Sequence, residues 1–443
     1  MSSVSDTRRL AQIGKRPAVP SLSASAGSLW RSALATPWPV TGFLLSLAFP
    51  LHFDVGALHF LPYRVWLLAT FIPSALAVFG GRVGRILPSD YLMLLHGVWM
   101  IVALSYHHGP ASGFEGGGIM MVEIVGAYLL ARAHIRTPDD LRATASVVVV
   151  MCAVLVLPCL VESLGGYNCF ANGHPNGRRL GMFRARGPFS HAIHLGMFGA
   201  SGGALAWVLT RQSEVFRKCL YRAAVLGTVV CSVSSGALAA SLSQILLVSW
   251  QRLFRRNPAK WKYLLGLMAC AYVAVDVLSN RTPLKVGLHY LTFSAHTAYN
   301  RLIIWEYGKW DVINNPIFGI GLNVWSKPEW MTYSDSMDNF WLVVGVRYGL
   351  PGFLSRAGAI VYLCWRAGRL ELLGLAARMR TAWVIMMIGM AIGASTVHFW
   401  EGLFAYYGLL IGLGAAFLAP PSRDGTVGPD VRTGSRPPSV HVR

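Results

Sequence analysis

Long apolar runs alternate with short polar connections over most of the chain, and most of the runs are longer than a core helix of a soluble domain requires. A hydrocarbon layer of about 30 Å needs about 20 mainly apolar residues per helix. As a window, that rule predicts spans near 36–53, 57–79, 90–106, 117–134, 142–164, 191–210, 221–235, 236–251, 262–279, 339–366, 381–398 and 401–419. The expected fold is all-α, a polytopic bundle of about 12 transmembrane helices, the seventh and eighth being short. Two polar segments are too long for simple turns: roughly 165–190 and 280–338, the latter a large loop between spans nine and ten. The flanks 1–34 and 420–443 have no hydrophobic period and are expected to be disordered tails around a membrane domain of 35–419. No short apolar core with a cleavage site follows the basic start at signal-peptide distance.

Composition agrees with that pattern, at 54% hydrophobic and 13% charged residues among 443. The formal charge of +20 points to nucleic acid, anionic lipid or membrane topology, and the placement of the basic residues decides. Arg82 and Arg85, Arg132 to Arg142, Arg211 to Arg222, Arg252 to Lys262, and Arg366 to Arg380 fall in alternate connections. By the positive-inside rule these are cytoplasmic, which puts both termini inside and implies no nucleic-acid partner. The seven cysteines lie mostly in apolar runs and predict no structural disulfide. No phosphate-binding loop, dinucleotide fingerprint or zinc spacing occurs, so neither metal nor cofactor is expected.

Chemistry concentrates where the charge pattern breaks. In "FRARGPFSHAIHLG", Arg184 and Arg186 precede a Gly-Pro break, and His191 and His194 sit one turn apart as span six begins. Guanidinium forks beside a helix N-terminus make an anion site, and at a membrane face a lipid diphosphate is the natural ligand. The plainer reading is that these arginines snorkel to lipid headgroups. In "SAHTAYNRLIIWEYGKWDVINNPIFGIG", Arg301, Trp305, Glu306, Lys309 and Trp310 recur at helical spacing, predicting a short amphipathic helix along the interface. His296 opens that stretch, and Trp305 is a candidate to stack on a sugar ring or a belt residue. In "SDSMDNFWLVVGVRYGLPGF", Asp338 and Asn339 stand at the mouth of span ten, and Arg347 falls roughly 14 Å further along at helical rise, where "YGLPGF" supplies a break that could line an aqueous pocket. Ionisable residues in lipid face a cavity or a partner, so Asp338 is a candidate base or an N-cap, and Arg347 lines a pocket or pairs with a carboxylate.

The order of these landmarks, "RARGPFSHAIHLG", "CSVSSGALAA", "NPIFGIGLNVW" and a polar pair opening a "GLPG" span, resembles the O-antigen ligase and polymerase superfamily over roughly 35–420. The resemblance implies an inner-membrane glycosyltransferase that moves a glycan from undecaprenyl diphosphate to a sugar acceptor without metal or nucleotide. It implies that Arg186 and Arg301 hold the diphosphate; Arg184 and Arg347 are further candidates for that group, and Trp305 and Asn339 are candidates for the glycan. Ligases of the family carry His before the Asn; here Asp338 stands there, leaving Asp338, His191 and His296 as candidate bases. The usual Ser-Arg-Gly is replaced by Ser234, Ser235 and Gly236. Both departures favour a polymerase of exopolysaccharide, capsule or O-antigen over a ligase to lipid A core, with a flippase and a chain-length regulator as companions. A transporter of the same lipid-linked glycan is the rival expectation.

Overall fold

The computed structural model describes residues 29–49, 53–55, 58–170, 176–280, 282, 286, 295–331 and 336–418. Among these the chain is mostly helical. That agrees with the all-α expectation; two short antiparallel hairpins, β1 (Phe53–Val55) with β2 (Leu58–Phe60) and β3 (Asn176–Arg179) with β4 (Met182–Arg184), are minor additions to it. Helices α1 (Leu29–Leu34) and α2 (Trp38–Leu47) lead the bundle, so helix begins six residues before the boundary drawn at 35. Residues 1–28 and 419–443, where the tails are expected, lie outside the described residues.

Four helices start on proline: α3 (Pro62–Phe79), α4 (Pro88–His108), α5 (Pro110–Met121) and α7 (Pro138–Gly165). A first-turn proline suits, because its fixed φ is helical and the missing N–H would have no partner there. Between α5 and α6 (Ala127–His134) the chain passes through a π-helical turn, Val122–Gly126. Next come α8 (Ala192–Ser201), α9 (Gly203–Leu209), α10 (Val215–Cys231) and α11 (Ser235–Leu253), whose junction at 232–234 matches the paired short spans of the sequence. Then follow α12 (Lys260–Leu278), α13 (Ala295–Asn314), α14 (Phe340–Arg369), α15 (Gly374–Ala394) and α16 (Glu401–Gly412).

Among the described residues six helical stretches are long and apolar enough to cross a membrane: Pro62–Phe79, Pro110–His134, Pro138–Gly165, Ala192–Leu209, Lys260–Leu278 and Gly374–Ala394. Helix α12 buries none of its side chains against the described residues, which for so apolar a helix means that lipid is its solvent. Inside the bundle, small residues let backbones meet: a Cβ on Gly408 or Gly412 of α16 would come within 2.3 Å of the Ile124 carbonyl oxygen or 2.6 Å of that of Tyr128. Such close approach is how helices hold together where lipid removes the hydrophobic drive.

The span expected over 339–366 is broken within "YGLPGF", where the sequence offers a break. At Gly349 the backbone turns to φ 66° and ψ −174°, and a Cβ there would sit 2.0 Å from the Ile317 carbonyl oxygen, so only glycine fits. Phe340 and Arg356 would lie about 24 Å apart on a straight helix. Instead the Arg356 guanidinium carbon is 4.8 Å from the Phe340 ring centre, so residues 340–348 form a short arm folded toward the long one. Arg347 therefore sits in the short arm, next to the break, and not deep along a span. The loop after α13 takes up backbone groups near the break: Ile320 and Gly321 donate N–H to the Val346 and Arg347 carbonyls at 2.7 and 3.1 Å, and Leu350 donates to Pro316 at 2.7 Å. His107 and His108, at the end of α4, clamp that loop. His107 Nε2–H donates to the Gly319 carbonyl at 2.8 Å, and Leu322 N–H donates to His108 Nε2 at 2.9 Å.

Candidate functional site

The "RARG" turn is held by a carboxylate that sequence reasoning passed over. Glu162, buried at the end of α7, accepts from the backbone N–H of Arg186 at 3.1 Å and of Gly187 at 2.8 Å, and from Asn168 Nδ2 at 3.0 Å. Ala185 N–H donates to the Cys231 carbonyl at 2.9 Å, tying the same turn to α10. Gly187 supplies the positive φ of 56°. A lone acid in the apolar run "LPCLVESLGG" was the available signal, since a carboxylate there has to satisfy backbone donors or a cation. Arg184 projects from β4 of the adjoining hairpin, and Arg178 caps Phe183 of that hairpin at 4.1 Å.

Arg301, on α13, is 6% exposed and gives Nη2 to the Ser235 hydroxyl at 3.1 Å. Ser235 opens α11 within the segment that departs from the family's Ser-Arg-Gly. The Arg301 Nε and Nη1 donors and Arg184 Nε are buried without hydrogen-bond partners among the described residues. One carboxylate, Asp338, acts on both guanidinium groups while forming no ion pair with either among the described residues. Burial pushes Arg184 down to about 10, helped by Arg179 and opposed by Asp338. Arg301 is lowered by burial, with Asp338 opposing and Arg179 adding to the fall. Arg179, which the sequence reading did not assign to the site, thus belongs to it as a further positive charge.

His191 is the N-cap of α8, its Nδ1 accepting from the Ile193 N–H at 3.1 Å. Burial, then Arg184 and Arg186, push it down to about 4, so it is neutral at ordinary pH. A neutral imidazole whose Nδ1 accepts carries its proton on Nε2, so the free nitrogen is a donor and not a base. Asn339, not Asp338, caps α14: its Oδ1 accepts from Leu342 N–H at 3.1 Å. Among the described residues the Asp338 carboxylate accepts from Ser336 Oγ at 3.3 Å.

The sequence-predicted residues therefore divide. Asp338 acts on both Arg184 and Arg301, and Arg184 and Arg186 act on His191, so these five are linked pairwise, with Asn339 next to Asp338 in the chain. Arg347 is directed elsewhere: with Arg356, and after burial, it pushes His398 down to about 3. Trp305 is 42% exposed with no ring contact among the described residues. The His296 side chain lies outside the described residues. His194 packs under Trp400, with ring centres 4.4 Å apart, and pairs with Ser190 at 3.0 Å, as a packing residue would. The wall behind Arg301 is tight: a Cβ on Gly236 would meet Thr396 and Val397 at 2.7 Å, and Phe340 N–H donates to the Val397 carbonyl at 3.1 Å.

Several guanidinium groups, a neutral imidazole N–H and one carboxylate at the rim of a helix bundle suit a ligand rich in oxyanions beside a hydroxyl to be deprotonated. No protein-family model matches the chain, and no curated protein shows significant similarity to it.

Proposed function

We propose that the chain is a periplasmic-face polysaccharide polymerase of a bacterial inner membrane. It transfers undecaprenyl-diphosphate-linked oligosaccharide to a sugar acceptor during surface polysaccharide synthesis. In this reading about 12 helices span the bilayer, both termini are cytoplasmic, and the ends bearing Arg186, Ser235 and Asp338 face the periplasm. The observation that carries it is the pair of guanidinium groups, half-buried Arg184 and buried Arg301, both acted on by one carboxylate and both with buried donors that no described residue accepts.

The chemistry follows from those groups. The acceptor hydroxyl gives its proton to Asp338 as its oxygen bonds to the anomeric carbon. The bond from that carbon to the diphosphate breaks, and the electron pair leaves on a phosphate oxygen. Arg184, Arg186 and Arg301 stabilise that oxyanion in a site where burial strengthens the interaction, and His191 Nε2–H adds a neutral donor.

The test is glycan analysis of cells carrying Arg301→Ala or Arg184→Ala in place of the wild-type chain. Long-chain polysaccharide disappears and lipid-linked repeat units accumulate on the periplasmic side. Normal chain length in both variants would overturn the reading. The break at Gly349 favours a second reading, a transporter of the same lipid-linked glycan, because discontinuous helices line transport sites. In that case the lipid-linked units accumulate on the cytoplasmic side.

A further inference from the structure

A second cationic feature lies at the opposite end of the bundle. Trp207, near the end of α9, carries two guanidinium groups against its ring: Arg222 of α10 at 3.7 Å and Arg252 of α11 at 4.0 Å from the centre. Arg252 stands 17 positions after Ser235 on α11, about 25 Å along the helix from the residue that holds Arg301. Arg222 is fixed by donating Nε to Thr210 Oγ1 at 3.0 Å and Nη2 to the Trp207 carbonyl at 3.3 Å.

Like charges on one indole are not what topology alone produces. The positive-inside rule calls for basic residues at a helix end and does not ask three helices to bring them onto one ring. Each cation–π contact is worth about 0.5–1 kcal/mol at an exposed site, and two cations within roughly 8 Å repel. Arg211 lies close enough to Arg252 to add to that repulsion. Among the described residues none of the three forms an ion pair; Glu214, the nearest acid in sequence, is exposed and reaches Arg217 at 3.9 Å. Arg222 Nη1 and the donors of Arg252 have no hydrogen-bond acceptor among the described residues. An anion bridging the pair would supply the missing compensation.

The surroundings name the kind of anion. Leu242 and Ile245, each about half exposed, share a face of α11 with Arg252 at three- and seven-residue spacing, and Leu246 beside them is 60% exposed. A charged clamp above an apolar strip, at the end of the membrane-length stretch Ala192–Leu209, matches a phosphate headgroup above its acyl chains. We propose that Trp207, Arg222 and Arg252 bind the phosphate of an anionic phospholipid, its chains lying along Leu242 and Ile245.

Native mass spectrometry of the full chain in detergent, with phosphatidylglycerol or phosphatidylcholine added, tests this. Wild type retains phosphatidylglycerol in preference to phosphatidylcholine. Arg252→Gln, at an exposed position whose loss leaves the fold intact, lowers the phosphatidylglycerol-bound fraction roughly fivefold, as expected for one basic contact. Arg255→Gln, a charge removed from the same end but not from the indole, leaves that fraction unchanged. Equal losses in the two variants would reduce the clamp to generic surface charge, and no preference for phosphatidylglycerol in wild type would overturn it. So would full displacement of the lipid by millimolar inorganic phosphate, which would make the site one for the free ion.

Discussion

Two buried arginines, Arg132 on α6 and Arg301 on α13, have almost the same exposure and opposite surroundings. Arg132, 1% exposed, donates Nη2 to the Arg85 carbonyl at 2.8 Å and Nη1 to that of Val83 at 3.3 Å. Its Nε faces Asp90 Oδ1 at 3.3 Å, off the line of a hydrogen bond but within ion-pair distance. Asp90 in turn accepts from the Tyr128 hydroxyl at 2.6 Å and caps the Leu87 N–H at 2.8 Å. Arg301 has one hydroxyl acceptor and no carboxylate at ion-pair distance among the described residues. Burying either charge costs several kcal/mol. At Arg132 the protein offsets that cost itself, which makes a brace. At Arg301 no described residue does, which is the setting expected of a residue that the proposed function uses for binding.

The widest gap between the two sites should appear in stability. Arg132→Ala leaves Asp90 buried beneath Tyr128 with its counter-charge gone, at a cost of about 3–5 kcal/mol, visible as lost yield and a lower unfolding temperature in detergent. Arg301→Ala removes an uncompensated charge, so its unfolding temperature is unchanged or higher, while glycan polymerisation falls by about 10²-fold or more. If Arg301→Ala unfolded as readily as Arg132→Ala, both arginines would be braces and the proposed site would lose its centre.

The sequence made the helices legible because lipid forces them: apolar windows place most of them within a few residues, and the 232–234 junction was visible as "SVSSG". Arg184, Arg301 and Asp338 were legible because charge is conspicuous where the topological pattern excludes it. What stayed hidden depends on contacts distant in sequence. Glu162 anchors a turn 24 residues later, and Arg179 joins the cluster only through its hairpin. The fold at Gly349 was hidden differently. "YGLPG" announces a break, but only the loop from Pro316 to Gly321, pairing with the carbonyls of Val346 and Arg347 and the Leu350 N–H, decides how far the arms bend.

Neighbouring residues at the start of α14 give a narrower contrast. Asn339→Ala deletes the cap on Leu342 N–H and costs about 1 kcal/mol of stability, with a small effect on turnover. Asp338→Asn leaves the cap in place and removes the proposed base, so turnover collapses while the unfolding temperature holds. Retained turnover in Asp338→Asn would move the base elsewhere. His191 is a poor successor while its Nδ1 accepts from Ile193.

The smallest effect is a slope against pH. His191 is lowered from its ordinary 6.5 to about 4 by burial, Arg184 and Arg186. Below pH 6.5 the unfolded chain takes up a proton that the folded site refuses. Stability is therefore complete above pH 6.5, declines as the pH falls toward 4, and levels off below that. His398, lowered to about 3, adds a parallel decline that persists in any His191 variant. Unfolding temperatures between pH 7 and pH 4 should fall most steeply in wild type, less in Arg184→Gln, where one repelling charge is gone, and least in His191→Gln. If the wild-type and His191→Gln curves superimposed, His191 would not face Arg184 and Arg186, and the contrast with Arg132 would rest on Arg301 and Asp338 alone.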